Sequence, residues 1–496
     1  MTLSKMETAE IRQFQMYING EWTPSESGET FNVVSPATGE ILAKLPKGGP
    51  EDVKKAVESA VAAQEIIARM PNAKRTELAT KVAEAIKANV SDFARDLTLE
   101  HGKPIRESIG EVADSAPNVL WQAEDLKRLE APVLRSYTKP DMMFVMQREP
   151  LGTVAVITPW NFPWVMPGEF VVQAMLAGNS VVFKPASTTP ISAVHLMECV
   201  DQAGVPKGVI NLITGPGNTA GMALIEHPMI DGICFTGDTA TGEVISKRAG
   251  LKKMSLELGG LGPLIIMDDA NIEKAVEDIV YGCYTTSGQC CCANERIFVH
   301  EKIHRQIVDQ LTSRVRELKL GDPLKEDTDM GPMNNEPTVA KVEENVHDAI
   351  DKGAKLVAGG RRAQGFPTKL YYPPTVVDNV TPHMQFNYIE TFGPVAPIFE
   401  FSNLDQAINM ANEPRYGLSM AIHTANLKTA FYAAQRLKAG QVNINESVYF
   451  WDYHHPWGGF RRSGYGRVAG KWTLESFTEL KTININIGRS EFQAGG

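Results

Sequence analysis

The chain predicts an α/β protein of more than one domain, and three observations carry that prediction. Its 496 residues exceed the size at which a single hydrophobic core stops growing. Apolar residues make up 43% and charged residues 22%, the balance of an ordinary globular chain. Short β-branched runs alternate with stretches of helical period, the pattern of βαβ units on a parallel sheet.

The elements follow in order. EDVKKAVESAVAAQEIIARM (51–70) spaces its apolar residues as a helix does, and RTELATKVAEAIKANVSDFARDLTLE (75–100) repeats the pattern. A Lys139-Pro140-Asp141 turn signal ahead of Met143–Gln147 predicts a hairpin. Four strand-like runs come next: PLGTVAVITPW (150–160), GNSVVFKPAS (178–187), GVINLITGPG (208–217) and DGICFTGDTATG (231–242). Each leads into a helix-like stretch. GPLIIM (262–267) and ERIFV (295–299) continue the alternation into a second α/β region. KTININI (481–487) alternates isoleucine with polar residues, as an exposed or edge strand does.

Charge and hydropathy exclude several classes. A formal charge of −10 with no basic stripe disfavours nucleic acid and anionic membrane as partners. The opening residues MTLSKMETAEIRQFQ lack the apolar run of a signal peptide. The most apolar region, 154–183, is interrupted by Pro159, Asn161, Pro163, Pro167 and Glu169, so it predicts no spanning helix. The expected location is the cytoplasm, where thiols stay reduced.

SGQCCCANE (287–295) holds three of the six cysteines. Cys199, Cys234 and Cys283 add no second pair at metal spacing and no histidine pair stands nearby, so no metal site is expected. Adjacent side chains are expected to diverge, which disfavours a disulfide within the triplet. A reactive thiol remains, or buried thiols acting as small hydrophobes. GPGNTAG (215–221) follows a strand-like run and precedes a helix, with Gly215, Gly217 and Gly221 near the spacing of a dinucleotide loop. FTGDTATG (235–242) repeats the form, and the lysine of VVFKPAS adds a candidate anion partner.

Taken together, the motifs resemble the aldehyde dehydrogenase superfamily. They are TPWNFP (158–163), KPAS (184–187), FTG with Thr239 and Gly242, LELGG (256–260), GQCCC (288–292), ETFGP (390–394), YGL (416–418) and PWGGFRRSG (456–464). They stand in the family's order over roughly residues 17–487, with some likeness to bacterial lactaldehyde and semialdehyde dehydrogenases. The resemblance implies a Rossmann-like nucleotide domain (1–131 and 150–259), an α/β catalytic domain (260–470) and a small oligomerisation element (132–149 and 471–496) in a homodimer or homotetramer. It implies Cys291 as nucleophile, Glu257 as general base and Asn161 as oxyanion donor with the Cys291 amide. A thiolate adds to the aldehyde carbon, hydride leaves for a nicotinamide, and water hydrolyses the resulting thioester.

The implied cofactor site comprises Thr158, Trp160, Lys184, Ser187, Gly217, Gly221, Gly237, Thr239, Gly242, Leu258, Glu390 and Phe392. Ser187 occupies the position where NAD-preferring relatives often carry an acid, so NADP is expected, with NAD possible alongside. The implied tunnel comprises Met166, Glu169, Thr285, Cys290, Cys292, Trp451 and Trp457. Thr285 and Glu169 replace the arginines of succinate-semialdehyde and lactaldehyde relatives. With two Trp rings they point to a neutral, aromatic or amino aldehyde rather than an acidic one.

Four departures stand out. Asp238 replaces the usual Ser and is expected to cap the following helix. Thr286 replaces an Asn, Leu261 a Lys, and Val468 a common acid. Two rival readings keep the same fold: a CoA-acylating dehydrogenase, against which Glu257 argues, and a non-catalytic nucleotide-binding scaffold, against which the retained thiol, acid and Asn argue. A plain thiol esterase would not need the glycine loops.

Overall fold

A computed structural model describes residues 11–129 and 131–488. The opening segment 1–10 and the end of the expected oligomerisation element, 489–496, lie outside the described residues.

The four predicted runs form the centre of an eight-stranded sheet: Thr153–Ile157, Ser180–Lys184, Ile210–Leu212 and Gly232–Thr236, joined by Lys253–Glu257. These five are parallel, and almost every residue in them is buried. That burial on both faces explains why they read as continuous apolar runs rather than alternating ones. Antiparallel strands close both ends, Gly464–Tyr465 on one side and Met16–Ile18 with Glu21–Thr23 on the other. Gly464–Tyr465 thus belongs to this sheet although it follows the second α/β region in sequence.

Strand order fixes the site. From Thr153–Ile157 the chain adds Ser180–Lys184 and Ile210–Leu212 outward on one flank, then crosses to place Gly232–Thr236 on the other. Sheets of this kind bind ligands where the order reverses, at the carboxyl ends of the strands. Residues 158–161 and Thr236–Gly237 leave the sheet at that crevice.

A second, seven-stranded sheet contains Pro263–Ile266 and Arg296–His300 at its centre, parallel except for the edge strand Lys355–Ala358. Two three-stranded sheets complete the fold, one mixed and one antiparallel. In one, Val133–Arg135 and Met142–Pro150 make the expected hairpin, and Thr478–Asn486 pairs with its second strand as an edge. Ile483, Ile485 and Ile487 are exposed along or just beyond that edge.

The apolar stretch 154–183 resolves into two strands around the helix Val165–Leu176, most of it buried. No helix among the described residues is long and apolar enough to cross a membrane. The single helical pattern over 75–100 divides into Asn72–Ala88 and Val90–His101, because Asn89 leaves the helical region and turns its side-chain amide onto the Ala85 carbonyl.

Candidate active site

Two cavities meet behind the strand ends. The first, of about 840 Å³, spreads over the crevice of the parallel sheet; the second, of about 600 Å³, runs between the helices Ile105–Asp125 and Val165–Leu176 and the loop 446–457. Six residues line both: Pro159, Asn161, Thr236, Glu257, Leu258 and Cys291. The three proposed catalytic side chains are therefore all at the junction.

The thiol is delivered by a sharp turn. Thr286, Ser287 and Gly288 are consecutively left-handed, with φ of 53°, 54° and 71°. A Cβ on Gly288 would lie 2.2 Å from the Gly393 carbonyl oxygen, so only glycine fits there. Glu107 holds the turn, accepting from both the amide and hydroxyl of Thr286 at 2.9 Å each. The next turn closes with the Ala293 amide on the Cys290 carbonyl at 3.0 Å and curls the triplet. Instead of diverging, the Cys290 and Cys292 sulfurs lie 3.2 Å apart, and all three sulfurs fall within 4.8 Å of one another. Cys291 is half-buried and its two neighbours are buried.

The trio shares its protons. Burial opposes ionisation of Cys290, yet S–H donors from Cys291 and Cys292 outweigh it and hold its pKa well below the thiol value. Cys291 and Cys292 are pushed up, first by their hydrogen bonds with Cys290. One proton thus leaves readily and the other two are retained.

Glu257 ends the strand Lys253–Glu257 and is 4% exposed. Neither carboxyl oxygen has a partner in the protein, and burial, then the Cys291 charge, pushes its pKa well above the carboxylate range, with Arg467 opposing. Asn161 Nδ2 donates to the Gln289 carbonyl at 3.0 Å, which leaves the second amide hydrogen free to face the junction. Its backbone carbonyl accepts from Lys103 Nζ at 2.8 Å, and Lys103 pairs with Glu111 at 2.6 Å. Glu111 also accepts the Trp164 amide at 2.9 Å. This buried pair pins both ends of the loop carrying Asn161 and is not legible in the sequence, because nothing in local pattern couples residues 103 and 111 to 161.

In the first cavity the lining includes Thr158, Trp160, Lys184, Ser187, Gly217, Gly221, Gly237, Leu258, Glu390 and Phe392. Thr239 and Gly242 do not reach it: the Thr239 hydroxyl donates to the Arg462 carbonyl, and Gly242 makes room for Leu258, whose side chain would lie 2.5 Å from a Cβ. Both support the wall from behind. Asn218, within the GPGNTAG loop, also lines the cavity, as do Arg248 and Lys341 from helix faces that no motif marked. Asp238 caps the helix Thr239–Arg248 as expected, accepting from the Thr241 amide at 2.9 Å and hydroxyl at 2.6 Å.

The donor set suits a nicotinamide dinucleotide. The buried Lys184 ammonium has one acceptor, the Pro185 carbonyl at 3.0 Å, and burial lowers its pKa to about 8. The Thr158 and Thr236 hydroxyls are buried without partners. The Glu390 carboxyl, raised to about 8 by burial and then by Glu295, accepts the Gly260 amide at 2.9 Å and has capacity for ribose hydroxyls. Glu295 accepts the Thr391 and Phe392 amides and so fixes Phe392, which meets Trp160 edge to face at 5.5 Å.

The second cavity is lined by Met166, Glu169, Thr285, Cys290, Cys292, Trp451 and Trp457, all expected there. Glu169, however, is no free tunnel acid. It is 1% exposed and accepts from Asn118, Gln122, the Ala469 amide and the Thr473 hydroxyl. Its oxygens are engaged in holding three segments together, which removes it as a charge offered to substrate. Leu261 and Val468 are buried packing residues.

A half-buried thiol and an unpartnered buried acid thus stand together where a crevice suited to a dinucleotide meets a second tunnel. Residues 22–483 match the aldehyde dehydrogenase family. The chain is 35% identical over 485 residues to the glutarate-semialdehyde dehydrogenase of Pseudomonas putida, covering 97% of this chain and all of that one. It is 34% identical over 485 residues to the NADP-dependent succinate-semialdehyde dehydrogenase of Escherichia coli, with 97% and 100% covered. The solved NAD-dependent aldehyde dehydrogenase of Sinorhizobium meliloti superposes with a TM-score of 0.93 at 36% identity, covering 97% of this chain and 96% of that one. The protein belongs to the aldehyde dehydrogenase family and is an NAD(P)-dependent enzyme.

Proposed function

We propose that the enzyme oxidises an aldehyde to the free acid with Cys291 as nucleophile, Glu257 as base and Asn161 as oxyanion donor. The observation that carries this reading is that all three residues belong to the six shared by both cavities. Proton exchange along the sulfur trio brings the thiolate to Cys291, which adds to the carbonyl carbon. The developing oxyanion takes hydrogen bonds from the free Asn161 amide hydrogen and the Cys291 amide. When bound, NAD or NADP supplies the hydride acceptor. Lys184, Ser187 and Glu390 would hold it, and the absence of a carboxylate at Ser187 supports acceptance of a 2′-phosphate. The acyl group left on Cys291 is hydrolysed by water that Glu257 deprotonates.

For the substrate we infer an uncharged or cationic aldehyde. Lys103 is the one cation lining the second cavity among the described residues, and Glu111 neutralises it, whereas Glu107, Asp114 and Glu446 line the same space. Phe162, Tyr449, Trp451 and Trp457 add aromatic faces. An acidic semialdehyde is the second reading, favoured by the names of the relatives. Reduced-nicotinamide formation over a panel of succinate semialdehyde, aminoaldehydes and benzaldehyde, with Cys291→Ala as control, separates the two. A kcat/KM for succinate semialdehyde above all others overturns the first. Turnover in the control overturns the role of Cys291.

The exposed isoleucines of the edge strand Thr478–Asn486 support pairing between subunits in a homodimer or homotetramer. Six free cysteines agree with a reducing cytoplasm.

A further inference from the structure

We propose that Cys290, Cys291 and Cys292 together form a binding site for trivalent arsenic, with one sulfur from each residue. The proposal stands on convergence. A three-coordinate pyramid with bonds of ~2.3 Å to sulfur and angles of about 100° sets its sulfurs roughly 3.5 Å apart. The closest pair here is 3.2 Å apart and no separation in the trio exceeds 4.8 Å, so the sulfurs stand near that spacing. Modest side-chain rotation closes the triangle, and the curled backbone of the 290–293 turn needs no rearrangement.

The number of donors selects the ligand. Among the described residues no histidine or carboxylate joins the three sulfurs in a cluster of ligating atoms. Zinc would need a fourth ligand, here a water from the tunnel, whereas the trio by itself completes a three-coordinate ion. Arsenic(III) is pyramidal, takes three sulfurs and keeps a lone pair where a fourth ligand would stand. All three cysteines line the aldehyde tunnel, which gives a small neutral oxyacid a route in. With arsenous acid the exchange balances without redox: three As–O bonds break and three As–S bonds form. Each thiol proton leaves with a hydroxide as water, and arsenic stays trivalent.

The test is native mass spectrometry of the full-length enzyme incubated with sodium arsenite. This readout is independent of the assignment of Cys291 as nucleophile. The expected adduct is one arsenic atom less three hydrogens. Cys291→Ser should carry arsenic with one retained hydroxyl, less two hydrogens, because only two As–O bonds are exchanged. Even the loss of a group supporting a metal ligand costs about 10–100-fold in affinity, so each single Ser variant should bind at least about tenfold more weakly. The Cys290→Ser/Cys292→Ser double variant should retain none at a concentration that saturates the parent. If the double variant does not fold, Cys290→Ser and Cys292→Ser singly decide, each losing the three-hydrogen signature. A parent adduct lacking only two hydrogens, no adduct at all, or equal retention by the variants overturns the proposal.

Discussion

Glu257→Gln separates the two halves of the proposed reaction. The carboxyl has no hydrogen-bond partner in the protein, so the substitution breaks no contact and keeps the volume. Acylation of Cys291 should survive, because hydride release needs the thiol and the oxyanion donors, whereas hydrolysis loses its base. General-base catalysis contributes roughly 10²–10⁴-fold, and steady-state turnover should fall by that factor. The assay is stopped-flow absorbance of reduced nicotinamide: a burst stoichiometric with sites, followed by a nearly flat phase. The pH dependence has a definite sign. Burial raises the Glu257 pKa well above the carboxylate range, so the active carboxylate accumulates as pH rises and turnover climbs with it; the variant loses that climb. The same shift means the folded state holds this proton more tightly than the unfolded chain. Its contribution to stability is present at low pH and lost as pH rises through the folded value, so Glu257→Gln should melt above the parent at alkaline pH. Steady-state turnover within about tenfold of the parent, with no burst, would refute the assignment of Glu257 as base.

Other substitutions probe the remaining parts. Asn161→Ala should lower kcat by about 10²–10³-fold with little change in KM, measured with saturating cofactor. Ser187→Glu should depress kcat/KM for NADP by at least about tenfold while sparing NAD, since a carboxylate about 5 Å from a phosphate charge costs roughly 3 kcal/mol at an effective dielectric of about 20. With Lys184 lowered to about 8, NADP binding by the parent should weaken as pH rises through that value, more steeply than NAD binding; titration calorimetry reads both. Glu169→Gln turns an amide toward at least one of the hydrogen-bond donors now facing the carboxylate, and each orphaned donor costs about 1–3 kcal/mol. Denaturant unfolding should show that loss, and the ranking of cationic against neutral aldehydes should stay unchanged.

What the sequence made legible, and what it hid, divides by the range of the interaction. The parallel strands could be read because burial on both faces turns them into apolar runs, and the helix cap at Asp238 because its partner, Thr241, is three residues away. Cys291, Glu257 and Asn161 could be named because each sits inside a short motif. Glu169 could not be assigned, since its acceptors are matched by donors at 118, 122, 469 and 473, which only the packed fold assembles. The same holds for the expected divergence of the cysteines. Adjacent side chains do diverge in extended chain, but Thr286, a β-branched residue, stands at φ 53°, a conformation that costs on the order of 1–3 kcal/mol. Glu107, far away in sequence, offsets that cost with its two hydrogen bonds to Thr286. Cys290, Cys291 and Cys292 begin one residue, Gln289, beyond that left-handed turn, so the strain there sets the direction from which the sulfurs enter the junction. The turn that brings Cys291 to the junction of the two cavities is also the one that brings Cys290 and Cys292 beside it, so the placement and the clustering of the thiols have one structural cause.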